Sequence, residues 1–274
     1  MGTPQTTIQH TAIRWQNGED RAEPLELINE EPLLICVQGV PYTLTMRTPG
    51  DEIELAAGYC LGEGLLTSRD DVLSIETGPG ADPNVRDVRL TPRRLEKVRD
   101  QLDKRGIAGQ AARGVSGAAL LQELEQSVPP VKNGFSVPDG RIPGCLETLF
   151  ISQDHYRNTK GTHAALLLDE HLQVLAFAED VGRHNALDKV LGKAFLDGAL
   201  TRTGPLVLSS RMSLELVQKA ARAGLEMIIS KSRPTALAAA AAQILNMTLV
   251  SVAGSSGLLV LDQAGRVGRV VPSG

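Results

Sequence analysis

The chain has 274 residues, a net charge of −4 and an apolar content of 42 %, enough to bury one large core or two smaller ones without covalent staples. The acidic balance excludes a protein whose main work is neutralising nucleic-acid phosphates, and no uninterrupted apolar run reaches the length of a membrane span. Met1–Arg14 lacks a basic segment followed by an apolar one, so no secretory signal is expected, and Cys36, Cys60 and Cys145 lie too far apart for a CxxC, which excludes a thiolate zinc site and leaves a cytoplasmic protein with reduced thiols as the expectation.

From Ile13 to Met46 the pattern is extended, with Leu33–Val37 and Tyr42–Met46 forming a hairpin around Gly39-Val40-Pro41. A helix follows, with Thr48 as its N-cap, Pro49 in its first position, Ile53, Ala56, Ala57 and Cys60 facing inward, and Gly62 and Gly64 at its end. Thr91-Pro92 opens another, with Leu95, Val98 and Leu102 on its apolar side and a basic face opposite, read as solvated or, alternatively, as docking an acidic partner or an anionic ligand. Residues 106–118 are rich in glycine and alanine and read as a mobile loop, followed by a short helix around Leu120–Leu124. Val128–Pro143 reads as a linker or surface excursion, which makes Cys145 the thiol expected to be exposed.

The second half is more regular. Thr162–Leu168 and Leu172–Ala178 suggest a hairpin. Strands at Pro205–Leu208, Met227–Ile229 and Thr248–Val252 then alternate with helices at Ser213–Ala223 and Thr235–Leu245, which implies parallel pairing. Leu258–Leu261 and Val267–Val271 are expected to close the chain as a hairpin. Glu179–Lys189 follows a strand with two carboxylates, a glycine turn, Arg183, His184 and Asn185; Asn185 is the expected N-cap of a helix whose apolar face is Leu187, Val190 and Leu191.

In such a sheet, ligands bind beyond the carboxyl ends of the strands. Those ends carry Ser209-Ser210-Arg211, Ser230-Lys231-Ser232-Arg233, Ala253-Gly254-Ser255-Ser256-Gly257 and Gly182-Arg183-His184-Asn185. Hydroxyls, glycine amides and cations at helix starts favour an anion, most simply phosphate. No Walker A or GxGxxG loop is present, no GxSxG elbow, and His163 lacks the glutamate and Pro-Cys-x-x-Cys that a zinc deaminase needs.

These stretches together resemble the FdhD family of formate dehydrogenase accessory proteins. The resemblance rests on Arg47-Thr48-Pro49-Gly50-Asp51, Gly161–Ala165, Glu179–Lys189, Ser210–Ala220 and Ser232-Arg233-Pro234-Thr235. It implies an α/β protein: a C-terminal cytidine-deaminase-like three-layer α/β domain without zinc (131–274), beside a smaller N-terminal α+β part (1–130). It also implies a homodimer that takes sulfur from a cysteine desulfurase and passes it to the molybdopterin guanine dinucleotide cofactor of formate dehydrogenase. No permanently bound cofactor or metal is implied, and neither nucleic acid nor membrane is an expected partner. GDP would mimic the cofactor, and the residues expected to hold it are His163, Asp180, Arg183, His184, Asp188, Ser209, Arg211, Ser213, Ser232, Val252, Ala253, Gly254, Ser255, Ser256 and Gly257, with Asp180 and Asp188 orienting Arg183 and His184. The family's persulfide cysteines fall at Arg113 and Ser116, neither of which holds sulfane sulfur. Lys160 also replaces a family glycine. Two readings therefore stand: a sulfurtransferase acting on the molybdenum cofactor, or a non-catalytic paralogue that binds the cofactor or a guanine nucleotide.

Overall fold

The computed structural model describes residues 5–78, 81–104, 116–254 and 257–268. The chain opens with β1 (Thr7–Gln16) and β2 (Glu19–Ile28), an antiparallel ribbon that joins neither main sheet. β3 (Glu31–Val37) and β4 (Val40–Arg47) form the expected hairpin. With β5 (Val72–Thr77) and β6 (Val85–Leu90) they make a four-stranded sheet ordered β4-β3-β6-β5. Helix α1 (Glu52–Gly62) lies on this sheet, while α2 (Pro92–Lys104) and α3 (Gly117–Ser127) follow β6.

β7 (Val137–Pro138) and helices α4 (Ile142–Ser152) and α5 (Asp154–Thr159) precede the larger sheet. That sheet contains β8 (His163–Asp169), β9 (Val174–Asp180), β10 (Thr203–Leu208), β11 (Met227–Ser230), β12 (Thr248–Val252) and β13 (Leu258–Leu261), ordered β13-β12-β11-β10-β8-β9. β10, β11 and β12 are parallel, as their alternation with α7 (Leu214–Arg222) and α8 (Ala236–Ile244) requires. β8 runs antiparallel to β10 and β9, so the sheet is mixed.

Alternation along the strands sends side chains to two cores. Ala165 and Leu167 of β8 join Leu206, Leu208, Ile228 and Leu249 under α7, α8 and α6 (Arg183–Leu196), whereas Ala164, Leu166, Leu168, Val207 and Ile229 pack beneath α4. The first core continues without a break through α1 to Leu33, Ile35 and Val88 of the four-stranded sheet. Helix α1 is therefore packed on two sides, and its small buried residues Ala56, Ala57, Gly58 and Cys60 allow that closeness. No helix among the described residues is long and apolar enough to cross a membrane.

Several expectations are corrected. Helix α1 starts at Glu52 with Asp51 as its N-cap, because the Thr48 hydroxyl is occupied 3.1 Å from the Val181 N–H. Helix α6 starts at Arg183 with Gly182 as its N-cap, and Asn185 is buried within its first turn. Cys145 is 3 % exposed, on the face of α4 that covers the sheet. Val128, Val131 and Val137 in the expected linker are buried. The final strands do not pair with each other: β13 joins β12, and β14 (Val267–Gly268) pairs with β7. Of the loop at 106–118, residues up to 115 lie outside the described set. Ser116 caps α3 by accepting the Ala119 N–H at 3.3 Å, and Gly117 and Ala118 belong to that helix. Lys160 takes φ 56, the left-handed conformation that glycine adopts without strain, with its ammonium over the Tyr156 ring.

Candidate functional site

Sheet register brings the expected ends together. His163 pairs with Asp180, Ala165 with Leu208, Leu208 with Ser230, and Ser230 with Ser251. The start of β8 and the ends of β9 to β12 therefore form one edge, over which α6 and α7 begin.

The carboxylates of Glu179–Lys189 do not orient Arg183 and His184. Asp180, fully buried, accepts from the Thr48 and Gly182 amides and the Asn185 side chain at 2.9–3.1 Å, and it pairs with Lys189 at 2.8 Å. Lys189 also donates to the Thr48 carbonyl, and Asn185 bridges to Thr45 and Met46. Glu179 accepts the His155 and Tyr156 amides at the start of α5, together with the Thr162 hydroxyl. Asp188 grips Lys219 of α7 at 2.6 and 2.7 Å, with the ammonium 4.9 Å from the Tyr59 ring centre. Burial raises the Asp188 carboxyl to about 6 against the pull of Lys219. Low-dielectric surroundings demand that each charge be paired, and these partners consume the acids.

Arg183 and His184 are left facing the edge. Arg183 Nε, His184 Nε2 and Ser213 Oγ are buried atoms without hydrogen-bond partners among the described residues. Glu215 Oε2 lies 2.8 Å from His184 Nε2, a close approach whose angles miss hydrogen-bond geometry and which, with an imidazole biased to the neutral form, is not a full ion pair. Burial, with the cations of Arg183 and Lys219, holds the His184 imidazole below its ordinary pKa despite Glu215. Burial and Arg183 do the same for His163. The edge thus presents a guanidinium, two imidazoles biased to the neutral form and a capping serine at the start of α7. Buried donors without acceptors are costly. An incoming oxyanion would satisfy them.

The remaining expected residues divide. Ser209 Oγ already accepts the Ala164 N–H at 2.8 Å, which closes the β8–β10 end. Ser232 is half-buried in the turn after β11, where its amide donates to Ser230 Oγ and its carbonyl accepts from Ser251. Arg211 is exposed beside the edge. Val252 ends β12, and Ala253, Gly254 and Gly257 form a tight turn closed by Ala253 N–H to Gly257 carbonyl at 2.8 Å. Arg113, Ser255 and Ser256 lie outside the described residues. Sequence reasoning gave no role to Glu215, Lys219 or Lys189, although all three lie within the motif stretches, because their partners sit on other elements. A separate cleft of 380 Å³, lined by Pro130, Phe135, Arg202 and Gly224 among others, opens at the opposite end of the sheet and touches none of the expected site residues that lie within the described set.

All three cysteines are buried. Burial pushes each thiol above its usual range, most strongly at Cys60. The fold and the edge define a mixed α/β protein with a donor-rich, cation-bearing strand edge and no accessible thiol among its cysteines.

The model of the FdhD/NarQ family matches residues 28–268. The chain belongs to the FdhD/NarQ family. It is 36 % identical over 258 residues to the sulfur carrier protein FdhD of Anaeromyxobacter dehalogenans, covering 89 % of this chain and 88 % of that one. It is 35 % identical to the protein of the same name from Mycolicibacterium paratuberculosis, covering 96 % of this chain and all of the relative. A crystal structure of a formate dehydrogenase accessory protein from Desulfotalea psychrophila superposes with a TM-score of 0.76 over 96 % of this chain and 100 % of the other, at 22 % identity. At that identity the likeness speaks for the fold.

Proposed function

We propose that this chain serves formate dehydrogenase by binding its molybdenum cofactor, a molybdopterin guanine dinucleotide, and that it does not carry sulfur itself. The observation that carries this reading is the set of unpartnered donors, Arg183 Nε, His184 Nε2 and Ser213 Oγ, at one strand edge. Helix N-termini and free N–H and O–H donors suit phosphate oxygens. The cofactor is cargo here, and the C-terminal half is read as a cytidine-deaminase-like domain that presents it. Sulfur transfer from a cysteine desulfurase needs a thiolate that attacks and later releases sulfane sulfur. Cys36, Cys60 and Cys145 are buried with raised pKa values, which disfavours that role for each of them.

Calorimetric titration with GDP tests the binding reading. Wild type is expected to bind, and Arg183→Ala to bind about ten-fold or more weakly, the scale of one charged hydrogen bond. Absence of binding at millimolar GDP would remove the nucleotide site.

The histidine makes a second prediction. In the free protein burial holds the His184 imidazole below its ordinary pKa, which biases it towards the neutral form. A phosphate beside it raises that pKa, so binding takes up a proton and strengthens as pH falls below neutral. Titrations in two buffers of different ionisation enthalpy should differ for wild type and coincide for His184→Gln. Equal heats for wild type would contradict the placement of His184 against the anion.

A further inference from the structure

Helices α6 and α7 face each other through two rungs. His184 approaches Glu215, and one turn further along each helix Asp188 grips Lys219. The rungs differ in kind. Asp188 and Lys219 are buried and joined by two hydrogen bonds, which fixes them. The Glu215 side chain is 69 % exposed, and its carboxylate meets His184 Nε2 at angles that miss a hydrogen bond. A carboxylate held so loosely can swing into solvent by a change of rotamer.

That carboxylate stands where a ligand's charge would go. Glu215 lies in the first turn of α7, after the Ser213 cap, where a negative charge offsets the helix dipole. It lies against His184 Nε2, which is itself a buried atom. Glu179, Asp180 and Asp188, the neighbouring acids, are taken up by amides, the Thr162 hydroxyl and lysines. Glu215 is therefore the carboxylate that an incoming anion meets.

We propose that Glu215 sets the ligand charge this edge accepts, favouring a pyrophosphate esterified at both ends, as in a dinucleotide, over free nucleoside triphosphates. The inference rests on the reading of the edge as a phosphate site. A terminal phosphate carries about two negative charges, and a phosphate esterified on both sides about one. With the His184 imidazole biased to the neutral form, the charges of Arg183 and Glu215 oppose each other, so additional ligand charge gains nothing and meets repulsion from the carboxylate. Without Glu215, Arg183 is left to favour the more highly charged ligand. A repulsive group built into a site is a direct way to exclude an abundant competitor.

Calorimetric titrations with diguanosine pyrophosphate, GDP and GTP in magnesium-free buffer read this charge series. Wild type is expected to bind in that order, with GTP about ten-fold or more weaker than the diester. Glu215→Gln should tighten GTP about ten-fold or more and change the diester by less than about three-fold, so that the order flattens or reverses. Glu215→Asp, which keeps the charge, should keep the wild-type order. Equal affinities of wild type for the three ligands, or an unchanged order in Glu215→Gln, would overturn the proposal and leave the phosphate site standing. So would equal weakening of all three by Glu215→Gln, which would make Glu215 an acceptor of the guanine donors. Binding of none of the three, to wild type or to Glu215→Gln, would overturn the phosphate site and this proposal together.

Discussion

Lys189→Met is expected to lower the free energy of unfolding by about 3–5 kcal/mol, the cost of stranding one partner of a buried ion pair. Lys189 is 1 % exposed and Asp180 fully buried; the ammonium sits 2.8 Å from Asp180 and 2.8 Å from the Thr48 carbonyl. Methionine fills the same volume, so the loss is electrostatic and not a cavity. Three hydrogen bonds to Asp180 survive, from the Thr48 and Gly182 amides and the Asn185 side chain, which places the effect towards the lower end of the range. The pair also ties β9 and α6 to the Arg47–Asp51 stretch, so its loss loosens the two halves from each other. Urea unfolding reads the change. Asp180→Asn in the same chain should recover part of it, because the uncompensated charge is then gone. A loss below about 1 kcal/mol would mean that water reaches the site.

Gly192→Ala carries the other large effect. A Cβ at Gly192 would stand 1.8 Å from the Glu54 carbonyl oxygen, and one at Gly58 would stand 1.8 Å from that of Asp188. Both obstacles are backbone, so no rotamer change relieves them, and α1 and α6 must separate. Overpacking of this kind costs about 3 kcal/mol or more, at the upper end for added methyls. Arg183 and His184 open α6, so a displaced helix should also weaken GDP binding. Gly144→Ala is the matched control: it is helical, and an added Cβ there meets nothing within 4 Å. It should hold or raise Tm. Equal Tm values for the Gly192 and Gly144 variants would show that α1 and α6 do not cross at backbone contact.

Periodicity made the second half of the fold legible. β8 to β12 and the helices between them follow an alternation of two-residue and helical periods, and the parallel order follows from it. The first half was harder because its contacts are not local: β3 pairs with β6 across α1 and β5, which no short pattern signals. α4 was hidden by Pro143 and Gly144, which read as breakers although proline at a helix start is well tolerated. The strand-edge location of Arg183, His184 and Ser213 was legible from where each stretch ends. The roles of the acids were not. Asp180 and Asp188 are neighbours of Arg183 and His184 in sequence, but their partners Lys189, Thr48 and Lys219 are set by packing between α1, α6 and α7.

The proposal most exposed to test is that this chain binds the cofactor without carrying sulfur itself. A native mass spectrum after incubation with a cysteine desulfurase, cysteine and GDP tests both halves in one measurement. The account predicts a chain of unmodified mass in a non-covalent complex with GDP. A chain carrying an added sulfur atom, or one without bound GDP, would contradict it.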